Sequence, residues 1–249
     1  MDSPLSDIKI GHVTSQWAEG NGVFVSYKAS MDSTNALAKT EAFEEQMFEE
    51  SLALYLTDHQ TAGRGRGKNT WTDDMVGSSL LSSWSYLLNA TPQPTTTCLI
   101  GLALYRACST TWPFLLWSLK APNDIYLGSK KVAGILLETL VQGDDVRLVI
   151  GIGLNVTSSP DAVETATSIV EELPPGIPLL GQDWMTFLDR LLLELTDSVS
   201  KAEEKLSRTD CMSLLVALNK LPLLKEKYTG MSADGSLHIG EKKINWTEL

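Results

Sequence analysis

The stretch Gln60-Thr-Ala-Gly-Arg-Gly-Arg-Gly-Lys-Asn-Thr-Trp71 is the most informative part of this sequence. Its three glycines let the backbone approach a ligand closely and adopt positive φ angles. Its three cations lie within five residues, and guanidinium groups can hold carboxylate or phosphate oxygens. Trp71 adds a flat surface on which a purine can stack. The glycines are Gly63, Gly65 and Gly67, and the cations are Arg64, Arg66 and Lys68. An anion site beside an aromatic surface indicates a nucleotide.

A surface loop with incidental charge explains the same composition about equally well. Two common phosphate-binding motifs do not fit the stretch. It has no Gly-Lys-Ser/Thr at the spacing of a Walker A motif. It also lacks the G-x-G-x-x-G spacing, followed by a helix, of a dinucleotide-binding fold.

Apolar spacing on both sides of this loop predicts interspersed strands and helices. The predicted strands are 23–28, 52–58, 79–86, 114–120, 132–141 and 146–152. The predicted helices are 35–39, capped by Asp32 or Ser33, then 96–110 and 182–206, with a solvated helical segment at 41–50. Asp234-Gly235 predicts a small hairpin near the C-terminus. These patterns indicate an α+β fold with a mixed central sheet flanked by helices.

Three further segments carry polar groups next to apolar runs. Lys120-Ala-Pro-Asn-Asp124 precedes Lys130-Lys131-Val-Ala-Gly134, so a turn and a lysine are expected at the same end of the sheet. A hairpin with exposed lysines is the simpler interpretation, although an ammonium aimed by a buried stem can neutralise a phosphoryl group. In Ile150-Gly-Ile-Gly-Leu-Asn-Val156, Asn155 follows two glycines at the end of a strand. The glycines leave room either for a neighbouring element or for a ligand. In Asp32-Ser-Thr-Asn35, at a strand-to-helix junction, helix capping fully explains Asp32 and Ser33 and is favoured over ligand contact by roughly two to one.

Composition restricts the classes of partner. The 249 residues are 43% hydrophobic and carry a net charge of −11, which disfavours nucleic acid and anionic membranes as bulk partners. Cys98, Cys108 and Cys211 form no metal-binding or disulfide pattern, as is typical of a reducing compartment. No window is apolar enough to cross a membrane, and the N-terminus lacks signal-peptide features. We therefore expect a cytoplasmic protein without a protein-ligated transition metal.

The order of these motifs resembles that of the biotin–protein ligases, also called biotin–acetyl-CoA-carboxylase ligases. The motifs are DSTN, Q-x-AGRGR with a following Trp, K-x-PND, K-x-AGILLE and GIGLN, and the likeness extends over residues 23–206. It implies the fold that this family shares with class II aminoacyl-tRNA synthetases. The implied reaction has two steps: biotin and ATP form biotinyl-5′-adenylate, and a lysine of a biotin carboxyl carrier domain then takes the biotinyl group.

The resemblance also implies roles for individual residues. Lys131 would contact the reacting carboxylate and α-phosphate, Arg66 would hold the intermediate, and Asp124 would help to activate the acceptor lysine. Trp71 would stack on adenine, and Asn123 and Asn155 would lie near the phosphates of ATP and Mg²⁺, with magnesium held mainly through ATP. The implied biotin-binding residues are Ser33, Thr34, Asn35, Gln60, Gly63, Arg64, Gly65, Arg66, Lys131 and Gly134, and those for ATP or the adenylate are Arg64, Arg66, Trp71, Asn123, Lys131 and Asn155.

Three features depart from the family pattern. The loop continues as Gly67-Lys-Asn-Thr70 where the family has further arginines, and Ala121 stands where a Trp is usual. The C-terminal part is shorter than the family's SH3-like barrel. We therefore divide the chain into an N-terminal extension (1–22), a catalytic domain (23–218) and a shortened C-terminal β remnant (219–249). The extension is too short for the winged-helix DNA-binding domain of some family members, so no DNA partner is expected.

Two alternatives to a biotin ligase stay open from the sequence. One is a lipoate or octanoate ligase with the same sheet, and the other is a biotin-binding protein that has lost turnover. Family members often dimerise through the central sheet, so the resemblance also raises a homodimer as an expectation.

Overall fold

The computed structural model describes residues 8–246, in two compact units that are each described separately. The first unit comprises 1–91 and 132–185, and the second 92–131 and 186–249. Residues 1–7 and 247–249 lie outside the described residues. They include most of the N-terminal stretch that was tested for signal-peptide features and the end of the predicted C-terminal remnant. The domain boundaries proposed at residues 22 and 218 stay a prediction.

The elements follow the chain in an interspersed order. They are α1 (Ile10–Gly20), β1 (Phe24–Lys28), α2 (Thr34–Glu41), a 3-10 helix (Glu45–Met47), β2 (Leu52–Thr57), β3 (Ser79–Leu88), α3 (Thr96–Thr111), β4 (Trp117–Lys120), β5 (Asp124–Leu127), β6 (Lys130–Gln142), β7 (Asp145–Asn155), α4 (Ile169–Glu172), α5 (Gly181–Ser200), α6 (Arg208–Asn219), β8 (Gly230–Met231), β9 (Leu237–Ile239) and β10 (Lys242–Ile244).

The first unit is built on a sheet with the strand order β1-β2-β3-β7-β6. β1 and β2 are parallel, and the other neighbours are antiparallel, so the sheet is mixed as expected. The long β3–β7 pair runs from Ser79 opposite Asn155 to Leu88 opposite Val146. β2 and β3 are almost entirely buried because their apolar residues are covered on both faces.

Helix α1 covers one part of this sheet, packing on β1, β2 and β3. Ile10, Val13 and Trp17 recur every three or four residues and are buried, which gives the helix one apolar face. Thr14 is also buried, and its hydroxyl donates to the Ile10 carbonyl at 2.7 Å and accepts from Trp184 Nε1 at 3.1 Å. No helix was predicted in this N-terminal segment, because such buried polar residues obscure the periodicity of its apolar residues.

The acidic segment after α2 differs from the solvated helix predicted for 41–50. α2 ends at Glu41, and only the 3-10 turn Glu45–Met47 follows, with Met47 fully buried. The cause is Arg147, a buried residue of β7, whose guanidinium donates to the carbonyls of Met47 and Glu50. These bonds fix the backbone in a non-helical path, so the prediction of a helix here was wrong.

The second unit packs α3 and α6 on the β4–β5 hairpin. Within it, Trp112 and Phe187 lie with their ring centroids 5.3 Å apart and are both buried. A small antiparallel sheet, β8-β9-β10, follows α6. Gly235, at a φ of +83°, lies in the turn between β8 and β9, as the Asp-Gly pair predicts.

Several predicted boundaries shift. The fourth predicted strand begins at Trp117 rather than 114, and the long helix ends at Ser200 rather than 206. Helix α6 was not predicted, since Met212 and Val216 face outward and weaken its apolar pattern. Between residues 8 and 246, none of the helices is long and apolar enough to cross a membrane.

Replacing Arg147 tests how the acidic segment is held. We expect Arg147→Met to lower the free energy of unfolding by about 2 kcal/mol, because it leaves buried carbonyl groups without a donor. Urea-induced unfolding followed by circular dichroism measures this change. Arg190→Met, at an exposed position of α5, is the matched control. Equal loss of stability in the two variants would contradict the role given to Arg147.

Candidate active site

The start of α2 places three of the predicted biotin-binding residues in the first unit. Ser33 is the N-cap, and its Oγ accepts from the Ala36 backbone N–H at 3.4 Å. Ser33, Thr34 and Asn35 are all buried. The capping interpretation is therefore confirmed for Ser33, while Thr34 and Asn35 use their side chains elsewhere.

Two side chains hold this turn: Gln60, just after the end of β2, and Ser83 of β3. Gln60 Oε1 accepts from the Thr34 backbone N–H at 2.8 Å and from the Thr34 hydroxyl at 3.3 Å. Ser83 Oγ lies 2.8 Å from Thr34 Oγ1 and donates a hydrogen bond to Asn35 Oδ1. The structure thus brings Thr34, Asn35 and Gln60 into one polar network, in which Thr34 and Asn35 are buried and Gln60 is half-buried. Ser83 is a further member that the sequence does not single out, since it is one of four serines in β3.

The glycine- and arginine-rich loop closes on itself as a short hairpin. The Gly65 N–H donates to the Asn69 carbonyl at 2.9 Å, and the Trp71 N–H donates to the Gly63 carbonyl at 3.1 Å. Gly67, at a φ of +62°, lies at the turn, where a residue with a side chain would be strained. This geometry leaves Arg64 and Arg66 exposed on the hairpin.

Two glycines of β7 allow groups from the loop and from α2 to contact the sheet. A Cβ atom on Gly153 would lie 2.6 Å from Cε2 of Trp71, and one on Gly151 would collide with the Asn35 amide. Gly134 of β6 is directly opposite Gly153 in the register. The packing interpretation of the two β7 glycines is confirmed, and stacking of Trp71 on adenine stays a prediction.

The carboxylate of Glu138, in β6, lies next to three donor side chains. Its Oε1 lies 2.7 Å from Lys39 Nζ and 3.4 Å from Arg64 Nη1, and its Oε2 accepts from Asn35 Nδ2 at 3.0 Å. Burial raises the pKa of Glu138, but the hydrogen bonds from Lys39 and Asn35 outweigh it and hold the pKa below its ordinary value. Glu138 is therefore a carboxylate at neutral pH.

Glu138 ends the K-x-AGILLE motif, and the resemblance implies no role for it. Strand periodicity could have found it, because residues 134, 136 and 138 share one face of β6. An acidic residue within an apolar strand, on the same face as Gly134, indicates a polar or charged partner, because buried acids are usually paired.

Asn155 ends β7 and is buried. Its Nδ2 donates to the Thr167 carbonyl at 3.0 Å, and its Oδ1 lies 3.5 Å from Ser79 Oγ. An amide oxygen is a ligand type that magnesium accepts, so the donor chemistry of Asn155 fits its predicted position near Mg²⁺. Among residues 8–246, no group of three or more His, Cys, Asp or Glu side chains could hold a metal ion.

The second unit contains the other predicted catalytic pair. Lys131 Nζ lies 2.8 Å from Asp124 Oδ1, with the two side chains 35% and 18% exposed. The expectation that the turn and the lysine lie at the same end of the sheet is borne out by this ion pair. Nearby, the Ala121–Pro122 peptide bond is cis, and the Pro122 carbonyl accepts from Trp246 Nε1 at 2.8 Å. Asn123, within the same turn, is half-buried.

Comparison with protein families and curated proteins gives consistent matches. A model of the biotin/lipoate A/B protein ligase family matches residues 27–155. The bifunctional ligase/repressor BirA of Bacillus subtilis is 37% identical over 112 residues, or 43% of this chain and 34% of that protein. A biotin–[acetyl-CoA-carboxylase] ligase of Paracoccus denitrificans is 36% identical over 139 residues, or 54% of this chain and 55% of that protein. The chain thus spans about a third to a half of the curated relatives it matches.

Comparison with solved structures extends the likeness to most of the chain. A biotin protein ligase from Aquifex aeolicus, in complex with biotin and ATP, matches with a TM-score of 0.62 and 25% identity. The match covers 90% of this chain and 97% of that one. The expected α+β fold with a mixed sheet and a small C-terminal sheet is confirmed.

Adding one methyl group at Gly153 tests the contact between β7 and the loop. We expect Gly153→Ala to lower the free energy of unfolding by about 1–3 kcal/mol, because the indole of Trp71 would have to move. The thermal unfolding midpoint measures this loss. Gly20→Ala is the control, because a Cβ there meets nothing within 4 Å. An unchanged midpoint for Gly153→Ala would contradict the tight packing.

Proposed function

Because this chain belongs to the biotin/lipoate A/B protein ligase family, we propose that it is an ATP-dependent biotin–protein ligase. In the proposed reaction, the biotin carboxylate attacks the α-phosphate of ATP, forming biotinyl-5′-adenylate and releasing pyrophosphate. The amine of an acceptor lysine then attacks the carbonyl of the adenylate, forming an amide and releasing AMP. The acceptor is a biotin carboxyl carrier domain.

One observation carries this proposal: the buried turn at Thr34 and Asn35 stands beside the cationic loop. Thr34, Asn35 and Gln60 supply hydroxyl and amide groups that can donate to and accept from a ureido ring. Arg64 supplies a cation for a carboxylate, 3.4 Å from the carboxylate of Glu138. A small ligand with a polar ring at one end and an anion at the other matches this arrangement.

Catalysis in this proposal is mainly charge neutralisation and positioning, because two anions must meet. Lys131 stabilises the charge that develops between the biotin carboxylate and the α-phosphate. Asp124 keeps the Lys131 ammonium oriented through their ion pair and helps to activate the acceptor lysine. Arg66 holds the adenylate.

The remaining predicted residues serve binding. Trp71 stacks on adenine, Gly134 leaves space for the biotin ring beside Ser33, and Gly63 and Gly65 belong to the loop that folds over the ligand. Asn123 and Asn155 lie near the phosphates of ATP and its magnesium ion, which supplies further positive charge when bound.

The proposal includes a cellular setting and an assembly state. Cys98, Cys108 and Cys211 are free and buried, which supports a reducing compartment, the cytoplasm. The net charge of −11 disfavours a DNA partner. A homodimer, as the resemblance implies, is part of the same proposal.

Lipoate is the second candidate substrate, because the matching family includes lipoate ligases. The biotin proposal predicts that the protein, biotin and MgATP label one lysine of a carrier domain, detected by intact-mass spectrometry. Omitting ATP should abolish the label, and lipoate should not replace biotin. Labelling with lipoate alone would favour the second candidate. Biotin binding by folded protein without pyrophosphate release would indicate a non-catalytic binding protein.

Lys131 provides a test of the chemical step. We expect Lys131→Ala to reduce biotin-dependent pyrophosphate release by at least about tenfold, because it removes the cation that stabilises developing charge. Lys130→Ala is the matched control, since its side chain is the exposed neighbour on the same strand. An equal rate for Lys131→Ala and Lys130→Ala would contradict the catalytic role.

A further inference from the structure

Two cations share one carboxylate at the base of the loop. Lys39 and Arg64 both lie against Oε1 of Glu138, and Asn35 binds Oε2. The formal charges of Lys39, Arg64 and Glu138 sum to +1. This cluster therefore has one positive charge more than its own carboxylate can neutralise.

The two cations are held unequally. Lys39, on α2, lies 2.7 Å from Glu138, and its side chain is 28% exposed. Arg64, on the loop hairpin, lies 3.4 Å away, and its side chain is 48% exposed. An ion pair that is long and exposed contributes little to stability. Arg64 can thus leave Glu138 at low cost, while Lys39 and Asn35 keep the carboxylate neutralised and hydrogen-bonded.

We propose that Glu138 holds Arg64 while the site is empty and releases it to the carboxylate of the incoming ligand. Glu138 and the ligand compete for one guanidinium, so Glu138 lowers the affinity for a carboxylate ligand. This inference rests on the proposed function, which supplies biotin as that ligand. Once the carboxylate has become the neutral amide of the product, it no longer competes, and Arg64 returns to Glu138.

The competition predicts tighter binding when the carboxylate of Glu138 is removed. We expect Glu138→Gln to lower the Kd for biotin by about two- to fivefold, as for the loss of one competing exposed ion pair. Isothermal titration calorimetry measures the Kd. Glu203→Gln, an exposed position, is the control and should leave the Kd unchanged.

Two comparisons separate competition from a structural effect of the variant. The Kd for biotinamide, which has no carboxylate, should not change in Glu138→Gln. In an Arg64→Gln background, Glu138→Gln should no longer tighten biotin binding, because the shared guanidinium is absent. Biotin binding that is unchanged or weaker in Glu138→Gln would overturn the proposal, as would equal tightening for biotinamide.

A measurement without ligand keeps this inference distinguishable from the proposed function. Trypsin cleaves after Arg64 only when that side chain is free to enter the protease. We expect cleavage at Arg64 to be about twofold faster in Glu138→Gln than in Glu203→Gln, because local opening of the loop no longer breaks an ion pair. Glu138→Asp, with a shorter side chain, should give the same increase if Glu138→Gln fails to fold. If the unaltered protein binds no biotin, the proposed function fails, and an equal cleavage rate overturns the hold on Arg64 independently.

Discussion

The absence of side chains at Gly151 and Gly153 determines how closely other groups can approach the β7 strand. The amide of Asn35 lies over Gly151, and the indole of Trp71 lies over Gly153. With Asn35 in place, the start of α2 is fixed, and its hydrogen bonds to Ser83 and Glu138 can form. With Trp71 in place, the loop hairpin is anchored at its C-terminal end. Side chains at the two positions would separate both elements from the sheet.

The parts of the fold that the sequence predicted well are those specified by local patterns. β2 and β3 on either side of the loop were found because β2 is a nearly continuous apolar run and β3 is rich in leucines and aromatic residues. The α2 N-cap at Ser33 and the turn at Gly235 follow from short motifs with one favoured backbone conformation. The ordered motifs also placed Thr34, Asn35 and Gln60 together, although the roles given to them remain predictions.

The parts that could not be predicted depend on contacts between distant residues. Glu138 meets Lys39 and Arg64 across about 70 to 100 residues of chain, and no local pattern encodes such a meeting. Met47 packs in an apolar cluster with Val149, and its carbonyl accepts from Arg147, both of them about 100 residues along the sequence. Burial of Thr14 likewise depends on Trp184. In each case a polar group acts as the anchor, and hydrophobic periodicity does not indicate which distant residue is its partner.

The glycines of the β6–β7 pair have an evolutionary consequence. At Gly134, Gly151 and Gly153 the sheet already carries the smallest side chain that the genetic code offers. Every substitution at these positions adds atoms, so variation there can reduce the space on this face of the sheet but cannot increase it. A descendant that accommodated a bulkier ligand ring would have to obtain the space from the covering elements, α2 and the loop hairpin.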